Sequence, residues 1–204
     1  EGETMPLSNF EYEIRNGKYV ITDLKNRNLK ELIIPEGVKI IDECAFSDLL
    51  IEKVYFPTTL EMICNCAFEF CEHLKEIHFK EKCKLKIIDE SAFTNCYKLE
   101  KVILPSGVEE IAYNAFYSCS SLEKIVIPDN VTEIDKLVFA ECSEKLTIFG
   151  YRGSYVETYA NENKIKFVDL SEQVNPCPEG LLYTIDERFD FVTISGYTGS
   201  ATTL

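Results

Sequence analysis

LKELIIPEGVKIIDECAFSDLL (residues 29–50), IEKVYFPTTLEMICNCAFEFCEH (51–73), LKEIHFKEKCKLKIIDESAFTNCYK (74–98), LEKVILPSGVEEIAYNAFYSCSS (99–121) and LEKIVIPDNVTEIDKLVFAECS (122–143) are one template written five times. Their first apolar residues, Leu29, Ile51, Leu74, Leu99 and Leu122, lie 22, 23, 25 and 23 residues apart. A period of this length sustained over five turns identifies a solenoid, in which each unit buries its apolar face only by stacking on its neighbours.

The template has a physical reading. L-x-x-I-x-I alternates at its end, as in a short half-buried strand. Proline follows in four turns (Pro35, Pro57, Pro105, Pro128), where its missing N–H ends the ladder. A second apolar pair comes next: Val38/Ile41, Leu60/Ile63, Leu85/Ile88, Val108/Ile111 and Val131/Ile134. An Ala-Phe pair then supplies a small residue for a tight corner and a ring for the core. It recurs as Ala45-Phe46, Ala67-Phe68, Ala92-Phe93 and Ala115-Phe116, with Val138-Phe139 as the variant.

Written as L-x-x-I-x-[IL]-P-x-x-V-x-x-I-x-x-x-A-F-x-x-C over about 29–149, this motif resembles the BspA-like class of leucine-rich repeats, known from bacterial surface and secreted proteins. The resemblance implies an α/β-type repeat solenoid: a right-handed leucine-rich-repeat superhelix, mostly of short parallel strands. It also implies a non-enzymatic, extracellular or cell-surface module of the adhesion type, binding a host or matrix protein.

The flanks read as caps. Residues 1–9 are a linker, and 10–28 hold a cap hairpin turning at Asn16-Gly17. The stretch 29–149 carries five to six repeats. Ser154 with Glu157 forms a capping-box pattern that opens a short helix within a C-terminal cap, 150–170, closed by a strand at Lys164–Val168. After a linker, 171–180, the stretch 181–204 realigns with the first cap, Tyr183 and Ile185 matching Tyr12 and Ile14. It is expected to begin a second repeat module; a C-terminal hairpin is the alternative.

With 204 residues, 46% hydrophobic and 27% charged, the composition suits a folded domain. Lys+Arg number 21 against 35 Asp+Glu, so the formal net charge is −14. That balance argues against nucleic acid and anionic membrane surfaces as partners. No apolar run is long enough to span a bilayer, so membrane insertion is not expected.

Little in the chain points to catalysis. The two histidines are His73 and His78, and the fingerprints of hydrolases, nucleotide-binding folds and metalloproteases are missing. Cys64, Cys66, Cys71 and His73 are four soft ligands within ten residues, but Cys66 and Cys71 flank the Ala-Phe pair and would sit at different corners of one coil. The expectation is therefore no enzyme activity, no cofactor and no metal. Cys71, Cys96, Cys119 and Cys142 share one repeat position, filled by Leu49 in the first turn. Stacking would bring them within disulfide range. The preferred reading is a reduced, buried ladder, because the spacing serves packing without any bond. Cys177, in the Pro-rich linker, reads as an exposed thiol. Asn130-Val-Thr132 has the spelling of a glycosylation sequon.

One outward position lies between the last two inward residues of each first strand: Ile33, Tyr55, His78, Ile103, Val126 and then Thr147. Apolar and aromatic side chains aligned on one sheet face read as a contact stripe. The two preceding residues alternate in sign along the first four turns, Lys30-Glu31, Glu52-Lys53, Lys75-Glu76 and Glu100-Lys101, and continue as Glu123-Lys124 and Glu144-Lys145. That pattern supports stacking register. The candidate protein-binding residues are Ile33, Tyr55, His78, Ile103 and Val126, flanked by Lys53, Glu76, Lys101 and Lys124. A structural spacer displaying another domain is the rival reading.

Overall fold

The computed structural model describes residues 5–171 in full, together with the backbone of strands 174–176, 181–186 and 191–197. Two seven-stranded sheets run along it as two of the walls of a parallel β-solenoid. The N-terminal hairpin joins β1 (Phe10–Arg15) to β2 (Lys18–Leu24). Asn16 and Gly17 both take positive φ, 52° and 74°, as a two-residue hairpin turn of this kind demands. The second strand then pairs in parallel with β4 (Val38–Ile41), which continues into β6 (Met62–Ile63), β8 (Ile87–Ile88), β10 (Glu110–Ile111) and β12 (Glu133–Ile134). The other sheet runs from β3 (Glu31–Ile33) through β5 (Lys53–Phe56), β7 (Glu76–Phe79), β9 (Lys101–Ile103), β11 (Lys124–Val126) and β13 (Thr147–Gly150) to β14 (Lys166–Asp169).

The third wall is built from the Ala-Phe corners and has no regular strand. In the first four turns each Ala-Phe pair is bracketed by two residues with φ between 55° and 62°: Cys44/Asp48, Cys66/Phe70, Ser91/Asn95 and Asn114/Ser118. A left-handed conformation costs a non-glycine residue roughly 1–2 kcal/mol. Alternating the handedness, however, turns the main-chain groups along the solenoid axis. The Phe46, Phe68 and Phe93 N–H groups donate to Ala67, Ala92 and Ala115 carbonyls at 2.9, 2.8 and 2.8 Å. These inter-turn bonds hold the strained residues in place.

The core follows the template. All ten residues of the second apolar pairs are buried, as are the five repeat phenylalanines. Their rings form a stack through the molecule: Phe68–Phe93 at 5.1 Å, Phe93–Phe116 at 5.3 Å and Phe116–Phe139 at 5.8 Å, all nearly parallel. Each end is closed by an aromatic side chain set edge-on, Phe10 against Phe46 and Tyr159 against Phe139, both at 6.2 Å. Such perpendicular pairs are favoured by the ring quadrupole and end the stack without exposing a ring face.

The C-terminal cap centres on α1 (Tyr155–Glu162). Ser154 is its N-cap, accepting from the Glu157 N–H at 3.3 Å, and Glu157 returns a carboxylate to the Gly153 N–H at 2.7 Å. Val156, Tyr159 and Ala160 form the buried face of the helix.

One repeat departs from the rest. Its 25 residues place two extra residues between Phe79 and Leu85, where the equivalents Phe56 and Leu60 are four apart. The surplus is absorbed by Lys82 in a left-handed conformation and by Cys83, buried in the core. The excursion brings the Leu85 carbonyl so close to Gly107 that a Cβ there would lie 3.1 Å from it. It also weakens the adjacent sheet. Strand β7 pairs with β9 through Glu76 and Lys101 alone, whereas β5 and β7 share four pairs.

Candidate protein-binding face

The outer face of the second sheet carries the stripe expected from sequence. Ladder register places Ile33 beside Tyr55, Tyr55 beside His78, and Ile103 beside Val126. His78 and Ile103 flank the weakened junction. Ile33, Tyr55, Ile103 and Val126 are half-buried and His78 is exposed. The Tyr55 and His78 rings stack at 4.8 Å and 11°, the only adjacent aromatic pair among the described residues of this face.

The flanking charges are arranged differently in the two halves. Glu76 is shared by Lys53, at 3.1 Å, and the His78 Nε2, at 2.9 Å. Burial pushes the Glu76 carboxyl up, but these two partners outweigh it and hold it below its ordinary value. Glu52 likewise joins Lys75, at 2.9 Å, to Lys30, at 3.4 Å. Further along, alternation stops: Lys101 and Lys124 are direct neighbours in register. Between the halves the weakened junction opens a cleft of about 460 Å³, lined by Lys75, Glu76, His78, Glu100, Lys101 and Ile103.

The sixth turn requires a correction. Val126 is followed in register by Phe149, and Thr147 lies beside Lys124. Thr147 is therefore not the next member of the stripe, and Glu144-Lys145 is not the next charge pair. A shift of two residues leaves every side chain on the same face of a strand, so alternation cannot distinguish the two registers. The stripe then continues from Phe149 to Val168. There Leu170 folds over Phe149, and both form a small buried cluster against Ile103, Val126 and Val168. Phe149 escaped sequence reasoning for that reason, and Leu170 because it lies beyond the end of β14, where no alternation marks it.

The soft-ligand cluster is dispersed. The Cys71 thiol is buried and donates to the Phe46 carbonyl at 3.2 Å. No group of three or more potential metal-ligating side chains occurs among the described residues. The other members of the cysteine ladder behave alike: Cys96, Cys119 and Cys142 donate to the carbonyls of Phe68, Phe93 and Phe116, at 3.3, 3.3 and 3.2 Å. Cys177 and the expected second module's residues 187–190 and 198–204 lie outside the described residues.

With the parallel solenoid and its repeat positions established, the class of protein is a leucine-rich-repeat protein. The chain belongs to the BspA-type leucine-rich repeat family, whose model matches six copies over residues 23–147. Among solved structures it is similar to the leucine-rich repeat protein of T. pallidum. The two share 25% identity and a TM-score of 0.67 over 72% of this chain and 71% of that one. It is also similar to a leucine-rich cell surface protein of Faecalibacterium prausnitzii A2-165. Here identity is 32% and the TM-score 0.64, over 73% of this chain but 39% of that one. The pneumococcal vaccine antigen PcpA, at 16% identity and a TM-score of 0.53, shares the fold over 90% of this chain and 54% of its own. No functionally curated protein matches the chain.

Proposed function

We propose that this chain is a non-enzymatic, extracellular or cell-surface recognition module that binds a protein through the outer face of its second sheet. The carrying observation is the Tyr55–His78 ring stack, half-buried at Tyr55 and exposed at His78, within a column that runs from Ile33 to Val126. Aromatic anchors surrounded by polar residues are the usual core of a protein interface. Here the surround is Lys53, Glu76, Lys101 and Lys124. The surface placement rests on the family and on the F. prausnitzii relative, which is described as a cell surface protein. Among the described residues no helix is long and apolar enough to cross a membrane.

Binding to immobilised laminin, collagen and fibronectin provides the test. Tyr55→Ala and Ile103→Ala should each weaken capture about tenfold or more with the fold retained, as judged by circular dichroism, and with Ile103→Ala also losing some stability through its contact with the Phe149–Leu170 cluster. Capture that survives both substitutions would remove the site assignment.

A second reading, a spacer between other domains, draws support from the tail. The antiparallel strands Leu181–Asp186 and Phe191–Tyr197 have a register shift just before Tyr183, as the first hairpin has just before Tyr12. A chain that captures no protein yet positions a fused domain would favour that reading.

A further inference from the structure

Cys44 and Cys66 occupy the same place in consecutive turns, immediately before Ala-Phe, and their backbones have the same left-handed φ of 55°. Wall hydrogen bonds hold the two turns in register, from the Cys44 N–H to the Asn65 carbonyl at 3.1 Å and from the Phe46 N–H to the Ala67 carbonyl at 2.9 Å. Their side chains therefore leave the wall together, one inter-strand spacing of about 4.8 Å apart, close enough for each thiol to perturb the other's titration. Cys44 is exposed and Cys66 half-buried. The Cys66 sulfur also lies 3.0 Å from the Asn65 side-chain oxygen and within hydrogen-bond reach of the Glu69 carboxylate. This pair has a different setting from the cysteine ladder, whose thiols point inward at carbonyls. The equivalent residues of the next two turns are Ser91 and Asn114, so the arrangement occurs once.

We propose that Cys44 and Cys66 are a redox-responsive pair that closes a disulfide between the first two turns when a small-molecule disulfide reaches the exposed thiol. The Cys44 thiolate attacks one sulfur of the oxidant and breaks its S–S bond. One oxidant thiol departs, and its partner stays on Cys44 as a mixed disulfide. Cys66 passes its proton to Glu69 or to water and attacks the Cys44 sulfur, expelling the second thiol. Two S–H bonds are exchanged for one S–S bond, and the oxidant is reduced to two thiols. The inter-turn spacing falls inside the Cα range that disulfides span, roughly 4.4–6.8 Å. Burial raises the Cys66 thiol to about 12 and also raises Cys44, with Glu43 adding to it. Exchange is accordingly slow at neutral pH and quickens as the solution becomes alkaline.

The test is incubation of the intact chain with oxidised glutathione in mildly alkaline buffer, followed by an acid quench, alkylation and peptide mapping. The expected product is a Cys44–Cys66 cross-linked peptide, with the intact mass lowered by about 2 Da per chain. In Cys66→Ser the first step should stop at a lasting glutathione adduct on Cys44, while Cys44→Ser should leave Cys66 largely unmodified. A lasting adduct on Cys44 in the unaltered chain would overturn the proposal. So would a link from either residue to another cysteine, or no reaction at either. None of these outcomes bears on binding by the strand face, which lies on another wall.

Discussion

The Cys96 thiol donates a hydrogen bond to the Phe68 carbonyl one turn back, at 3.3 Å. The donor must be protonated, and burial holds the ladder thiols well above their ordinary value of 9.0, Cys71 and Cys142 at about 12. The folded chain therefore retains protons that the unfolded chain releases above about pH 9. Stability from these groups is complete below pH 9 and declines as pH rises from there toward 12. Urea denaturation across that range should show a falling midpoint. Cys96→Ala should flatten the decline while lowering stability at neutral pH by about 1–3 kcal/mol.

Phe93 lies between two parallel rings, Phe68 at 5.1 Å and Phe116 at 5.3 Å. Phe93→Ala should remove about 3–5 kcal/mol, because rigid neighbours on both sides limit collapse into the void. Phe93→Leu, which keeps most of the volume, should lose markedly less. Equilibrium denaturation of the two variants decides the matter, and equal losses would contradict the stacking argument.

Ser154→Ala should destabilise the helical cap by about 1 kcal/mol through loss of its hydrogen bond to the Glu157 N–H. In a solenoid that effect stays near the end where it arises. Amide exchange should quicken in the last strands, Thr147–Gly150 and Lys166–Asp169, with Met62–Ile63 almost unaffected. Uniform acceleration along the chain would show that the solenoid unfolds as one cooperative block.

Lys164 ends the helix in a left-handed conformation, φ 58°, and the Ile165 N–H reaches back to the Ala160 carbonyl at 2.9 Å. Glycine is the usual residue in that role. Lys164→Gly should thus be neutral or stabilising by up to about 1 kcal/mol, measured as a rise in melting temperature. A clear loss would mean that the lysine side chain contributes more than its backbone strain costs.

Much of this architecture was legible in the chain because its repeat unit specifies the core directly. Leu60 and Ile63, Phe68 and Cys71 are buried where the template places them, and Ser154 caps the helix it was expected to cap. The stripe through Tyr55 and His78 was legible for the same reason. The left-handed wall was not, since Cys44, Phe70 and Ser118 are residue types that give no local signal for positive φ. Their conformation is imposed by hydrogen bonds to the neighbouring turns.

By itself, the sequence determined the period, the inward positions and the need for caps, because apolar alternation and a recurrent Ala-Phe corner have one stacked solution. Three features were decided by the tertiary structure. Two surplus residues before Leu85 loosened the junction between Glu76–Phe79 and Lys101–Ile103. The sixth strand settled with Phe149, not Thr147, in the stripe. Cys44 met Cys66 across 22 positions of chain. All three depend on axial register, which inter-turn hydrogen bonds set and which a two-residue periodicity leaves undetermined.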